Sequence, residues 1–204
     1  MTTAAGRPTG WPAGRWAGRS GWAAAALLAG FAAAIGLRVT IGGPGVAGSV
    51  PAGLAFAAAL TALTLAAPPR TRGPAGPALA WAAAGTAVLC APAALSRLAA
   101  AAPAHRPTGF LPWAGVIVLV ATAEEAFLRG ALYDQVLAWR GPTAAVLVST
   151  ACFTALHIPL YGWHSAALNT AAGLWLAALR HHTGTWTAPA LAHTATDLIA
   201  WWLR

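Results

Sequence analysis

The sequence predicts an all-α, polytopic bundle of transmembrane helices with seven or eight spans. Three observations carry that reading. Of the 204 residues, 58% are hydrophobic and only 8% are charged, against roughly 25% charged residues in an ordinary soluble domain. Mean hydropathy is +0.64. Apolar runs recur along the chain at about 21–37, 47–67, 76–95, 111–128, 142–160, 164–179 and 186–203, each near the roughly 20 residues that cross a bilayer.

Taken in order, residues 1–20 are rich in Gly, Pro and Arg and read as a flexible or surface-lying tail. Residues 21–204 then form one transmembrane domain. Arg7, Arg15 and Arg19 ahead of Trp22 resemble the charged start of a signal peptide, but many apolar runs follow, so the first is read as a retained span. Breakers separate the runs: Gly42-Gly43-Pro44, Pro68-Pro69, Gly73-Pro74, Pro103, Pro107, Gly141-Pro142 and Gly184. Several runs are rich in Ala and contain Gly, which lets helices approach closely in lipid. The helix carrying residues 111–139 is too long for a simple span and is expected to tilt or emerge at the interface.

All 12 basic residues are arginine, and the formal net charge is +8. Nucleic acid is excluded as a partner, because these arginines stand singly or in pairs between apolar runs and build no basic stripe. They serve better as topology signals. A cytoplasmic N-terminus puts Arg7, Arg15, Arg19, Arg70, Arg72, Arg140 and Arg180 inside, against Arg38, Arg97, Arg106 and Arg204 outside. A multi-pass protein of the plasma membrane is the expectation. Cys90 and Cys152 lie in apolar runs and read as small buried hydrophobes.

The four acidic residues are Glu124, Glu125, Asp134 and Asp197. Two stand side by side after an apolar run, where an ionisable group costs roughly 2.5 to 3.5 kcal/mol and usually finds a partner or faces a wet cavity. Glu125 and Arg129, four apart, share a helical face and can neutralise each other. Glu124 points about 100° away from Glu125 and needs partners on another helix. His157 follows Phe153 by four residues, and His193 precedes Asp197 by four. A lone histidine in an apolar helix is usually structural, yet here an unpaired Glu and two His occupy three different helices that a bundle can bring together. His105, His164, His181 and His182 fall near helix ends, and Tyr161, Trp163, Trp186, Trp201 and Trp202 suit interfacial aromatic belts.

The segments Glu124-Glu125-Ala-Phe-Leu-Arg129-Gly130, Phe153-Thr-Ala-Leu-His157 and His193-Thr-Ala-Thr-Asp197 resemble the EExxxR, FxxxH and HxxxN/D motifs of the CPBP family. That family includes type II CAAX prenyl endopeptidases and bacterial relatives implicated in peptide maturation or bacteriocin self-immunity, and was also called the abortive-infection family. The run from Gly173 through Arg180, Thr183-Gly184 and Trp186 to Pro189 resembles the segment before its last motif, so the likeness covers about 110–200 and leaves 1–105 unmatched. It implies an intramembrane endopeptidase in which Glu124 and His157 activate water and His193 stabilises the oxyanion. Asp197, where the prenyl endopeptidases carry Asn, would orient His193 or, if protonated, donate directly to the oxyanion. Glu125, Arg129 and Phe153 would support the site. No cofactor is expected; the alternative within the family is zinc held by Glu124, His157 and His193. The expected partners are membrane lipid and a peptide or membrane-protein substrate. The main rival is a non-catalytic membrane scaffold, immunity or chaperone protein of the same fold, and a proton-coupled transporter ranks behind it.

Overall fold

The computed structural model describes residues 15–70, 75–99 and 109–203, with side chains described from residue 19. Among these residues there are seven helices and no strand: α1 (Arg15–Gly42), α2 (Val50–Ala66), α3 (Ala75–Ala99), α4 (Phe110–Arg140), α5 (Pro142–Tyr161), α6 (Ala166–Thr183) and α7 (Thr187–Leu203). Short 3-10 turns lie at Gly43–Gly48 and Trp163–Ser165. Four helices are long and apolar enough to cross a membrane, within Arg19–Gly48, Ala78–Leu95, Phe110–Arg140 and Pro142–Tyr161, and Val50–Ala66 is a shorter apolar helix.

The seven apolar runs each become one helix, several of them extended at an end. Helix α1 begins at Arg15, so residues 15–20 of the expected tail are helical, and it continues to Gly42 rather than stopping at 37. The remainder of that tail, with Arg7, lies outside the described residues, as do Arg72, Gly73-Pro74, Pro103, His105, Arg106, Pro107, Arg204 and the Arg97 side chain.

Local chemistry explains the ends. Ser49 caps α2, its Oγ accepting from the Ala52 amide at 3.3 Å, with Pro51 in the first turn. Gly184 closes α6 in the left-handed region (φ 70°), and its amide donates to the Arg180 carbonyl at 3.0 Å. Gly141 (φ 84°) lets the chain reverse between α4 and α5 with Pro142 opening the next helix.

The chain runs back and forth. Gly21 lies against Trp139, Phe31 stacks on Phe127 at 5.3 Å and Arg38 reaches Glu124 at 3.4 Å, so α1 is antiparallel to α4. Trp186 approaches Gly130 while Trp201 packs on Trp113 at 4.6 Å, so α7 is also antiparallel to α4. Helix α4 is thereby the central post. Around it Phe31, Phe56, Leu60, Phe127, Leu128, Leu132, Leu156 and Leu176 form the core. Small residues set helix spacing as lipid demands: a Cβ on Gly85 of α3 would come within 2.7 Å of Leu179, and one on Gly130 within 2.8 Å of Pro69. Large apolar side chains such as Trp22, Leu65, Leu111, Leu119 and Trp163 point outward, the pattern of a surface that meets hydrocarbon rather than water.

Candidate active site

Helix α4 is 31 residues long, about 46 Å at 1.5 Å per residue. Glu124 lies near its midpoint, about 21 Å from the Phe110 end. Two residues further on the helix changes character: Ala126–Leu132 is π-helical. A π turn widens the backbone ring by one residue and opens the carbonyl ladder, a local strain that is common at functional sites. The segment Glu124-Glu125-Ala-Phe-Leu-Arg129 therefore sits astride a transition from α to π geometry.

The two adjacent glutamates face different partners. Glu124 is 4% exposed and accepts from Arg38 Nη1 of α1 at 3.4 Å. Its need for a partner on another helix is met from the first span. Arg38 is itself buried, with its guanidinium over the Phe56 ring at 4.9 Å. The expectation that Arg38 is an external topology charge is corrected: α1 runs five residues beyond the predicted end of its span and carries that arginine into the bundle.

Glu125 is fully buried and accepts from Arg129 Nη1 at 2.8 Å, the pair that the spacing of four predicts. The same Oε1 lies 3.0 Å from His193 Nδ1 on α7. His193 Nε2 in turn lies 3.5 Å from Asp197 Oδ2. Carboxylates can only accept, so this ring stands between two acceptors, an arrangement that suits an imidazolium. Arg129, also fully buried, donates through Nη2 to the Gly173 carbonyl at 3.1 Å and stacks over Phe153 at 4.7 Å. Gly173 matters here because a Cβ would press on Thr150 and Phe153 at 3.2 to 3.4 Å and hold α6 off that arginine.

His157 donates through Nδ1 to the Phe153 carbonyl at 2.7 Å. A carbonyl cannot donate, so the proton is on Nδ1 and Nε2 is left as the basic nitrogen. Phe153 packs against both histidines, with ring centroids 4.3 Å from His157 and 5.4 Å from His193. Pro159, two residues beyond His157 in α5, offers no amide to the helix ladder. Glu124, His193 and Asp197 are close enough to feel one another's charge, as are His157, His193 and Arg38. Glu124, His157 and His193 are all nine-tenths or more buried, while the Asp197 side chain is 38% exposed and forms the open edge.

A second polar cluster lies one turn further along α4. Arg180 donates through Nη2 to Asp134 Oδ1 at 2.7 Å and through Nε to the Arg129 carbonyl at 2.7 Å, into the opened π ladder. The Arg70 amide donates to Asp134 Oδ2 at 2.6 Å, which ties the end of α2 to the same knot. His181 meets the Tyr133 hydroxyl at 3.3 Å, and His182 stacks on Trp81 at 6.1 Å.

The sequence reading anticipated the Glu125–Arg129 pair and the His193–Asp197 contact. It missed Arg38, the bond from Glu125 to His193, the π turn, and the Asp134–Arg180 knot. Arg38 had a signal, a charge within reach of an apolar span; the π turn had none.

Residues 106–199 match a family model described as Rce1-like, type II CAAX prenyl endopeptidase. Over this segment, somewhat under half of its length, the chain is similar to that family. The matched residues run from just before α4 almost to the end of α7, so they contain every CPBP motif residue and exclude Arg38. No curated protein and no solved structure matches the chain. That likeness and the four long apolar helices are features of a membrane protein.

Zinc was the family alternative for the same residues. Among the described residues no group of three or more His, Cys, Asp and Glu is arranged to hold a metal ion. His193 stands between two carboxylates, whereas Glu124 Oε2 is not held by Arg38 and His157 Nε2 is left open by the bond from Nδ1 to a carbonyl.

Proposed function

We propose that this protein is a metal-independent intramembrane endopeptidase that hydrolyses a peptide bond with water activated by Glu124 and His157. The observation that carries the reading is the burial of Glu124 near the middle of α4 and of His157, with a basic Nε2, on α5, together with an imidazole, His193, held between two carboxylates. Glu124 takes a proton from water as oxygen attacks the scissile carbonyl, and His157 Nε2 accepts or holds a hydrogen bond from that water. His193 donates to the developing oxyanion. Its contact with Asp197, at 3.5 Å the longer of its two, is the one that a substrate oxygen displaces. Collapse of the tetrahedral intermediate breaks the C–N bond and delivers the proton held by Glu124 to the leaving amine.

The substrate is a peptide or a membrane-associated protein segment, reached from the lipid-facing bundle, in a multi-pass plasma-membrane protein with a cytoplasmic N-terminus. Arg19 and Arg140, at the ends of α1 and α4 that lie together, support that orientation. The test is cleavage of a quenched peptide library by purified protein in detergent, before and after exhaustive chelation with metal analysis. Turnover that survives chelation supports the proposal; turnover abolished by chelation and restored by zinc overturns the metal-independent mechanism. No turnover on any peptide favours the non-catalytic scaffold.

A further inference from the structure

Arg38 is the feature of the site that neither the motifs nor the matched segment accounts for. It comes from α1, it is 8% exposed, and it is the cross-helix partner of Glu124 at 3.4 Å. Its guanidinium lies over Phe56 of α2, and its buried Nε has no hydrogen-bond partner among the described residues. Phe56 and Phe31 are 6.4 Å apart and Phe31 stacks on Phe127 in the π turn, so the arginine is held by the same aromatic column that packs on the catalytic helix. A guanidinium removed from water is expensive to maintain without function. A hydrophobic residue would fill the space between α1, α2 and α4 at lower cost.

We propose that Arg38 is a positioning residue for catalysis: it acts through Glu124, fixing the direction of its carboxylate toward the attacking water, so that the working site extends into the N-terminal half of the chain. The inference rests on the protease reading above. The single hydrogen bond leaves Glu124 Oε2 free of Arg38, the geometry required if one carboxylate oxygen is anchored while the other takes a proton. A planar guanidinium fixed on an aromatic face presents its N–H in one direction, which a flexible ammonium does less well.

The test compares wild type with Arg38→Gln, Arg38→Lys, Glu124→Gln and the Arg38→Gln/Glu124→Gln double variant, by peptide turnover and by thermal unfolding in the same detergent. A carboxylate misdirected by about an ångström should cost on the order of 100-fold in rate, so Arg38→Gln should lose about that much in kcat with KM nearly unchanged. Arg38→Lys, which keeps a donor and a charge, should recover part of the loss. The unfolding midpoints should be non-additive, because the two side chains touch. Wild-type kcat in Arg38→Gln, a loss seen in KM instead, or additive midpoints would overturn the proposal. Absence of turnover in the wild type would defeat the protease reading instead, and the unfolding cycle alone would then decide whether the Arg38–Glu124 tether exists.

Discussion

Glu125 touches both Arg129 and His193, and that double contact makes it more than half of an intrahelical ion pair. Removing it leaves two buried groups without a counter-charge. Arg129→Ala or Glu125→Ala should therefore destabilise the bundle by about 3 to 5 kcal/mol, the cost of an uncompensated buried charge. Replacing both with Met and Leu should recover much of that loss while turnover stays low, because His193 is no longer oriented. Thermal unfolding of the three variants checks this; a double variant no more stable than the singles would contradict it. Asp197→Asn retains an oxygen acceptor for His193 Nε2 and should keep turnover within about tenfold of wild type, whereas Asp197→Ala should fall further, in the range of lost electrostatic positioning. The Glu125–Arg129 pair was legible because a spacing of four is diagnostic on a helix. The bond to His193 was not, because it joins residues 68 apart and depends on how α4 and α7 are rotated.

At the scale of elements, the π turn Ala126–Leu132 and the Asp134–Arg180 knot belong together. The π turn opens the α4 ladder, and Arg180 fills the opening by donating to the Arg129 carbonyl. Arg180→Gln should loosen this turn and with it the orientation of Glu125, lowering turnover together with thermal stability. Gly130 permits Pro69 to approach at the same level. A Cβ there would meet Pro69 at 2.8 Å, so Gly130→Ala should push the end of α2 away and reduce folded yield by overpacking. Size-exclusion profiles and unfolding midpoints would register both effects; a wild-type profile for Gly130→Ala would show that the loop yields. Element positions were readable because apolar runs of spanning length, ended by Gly and Pro, leave few alternatives in lipid. Backbone hydrogen-bond register inside α4 carries no compositional mark, and so the π turn was hidden.

For the whole molecule, the CPBP-like motifs lie in 106–199, while α1 and α2 supply the wall on which Glu124 rests. Phe31, Phe56 and Arg38 come from that wall. The sequence alone divided the chain into a matched half and an unmatched one. The division fails at the site because antiparallel packing of α1 on α4 brings residue 38 to residue 124, a relation no local pattern encodes. Glu124, His157 and His193 are buried inside an apolar bundle, with Asp197 at the more exposed edge. The most direct test of that account is the rate of peptide cleavage by wild type and by Glu124→Gln at matched folded yield in detergent. The account predicts that wild type turns over and that this nearly isosteric change abolishes turnover; cleavage by Glu124→Gln at the wild-type rate would contradict it.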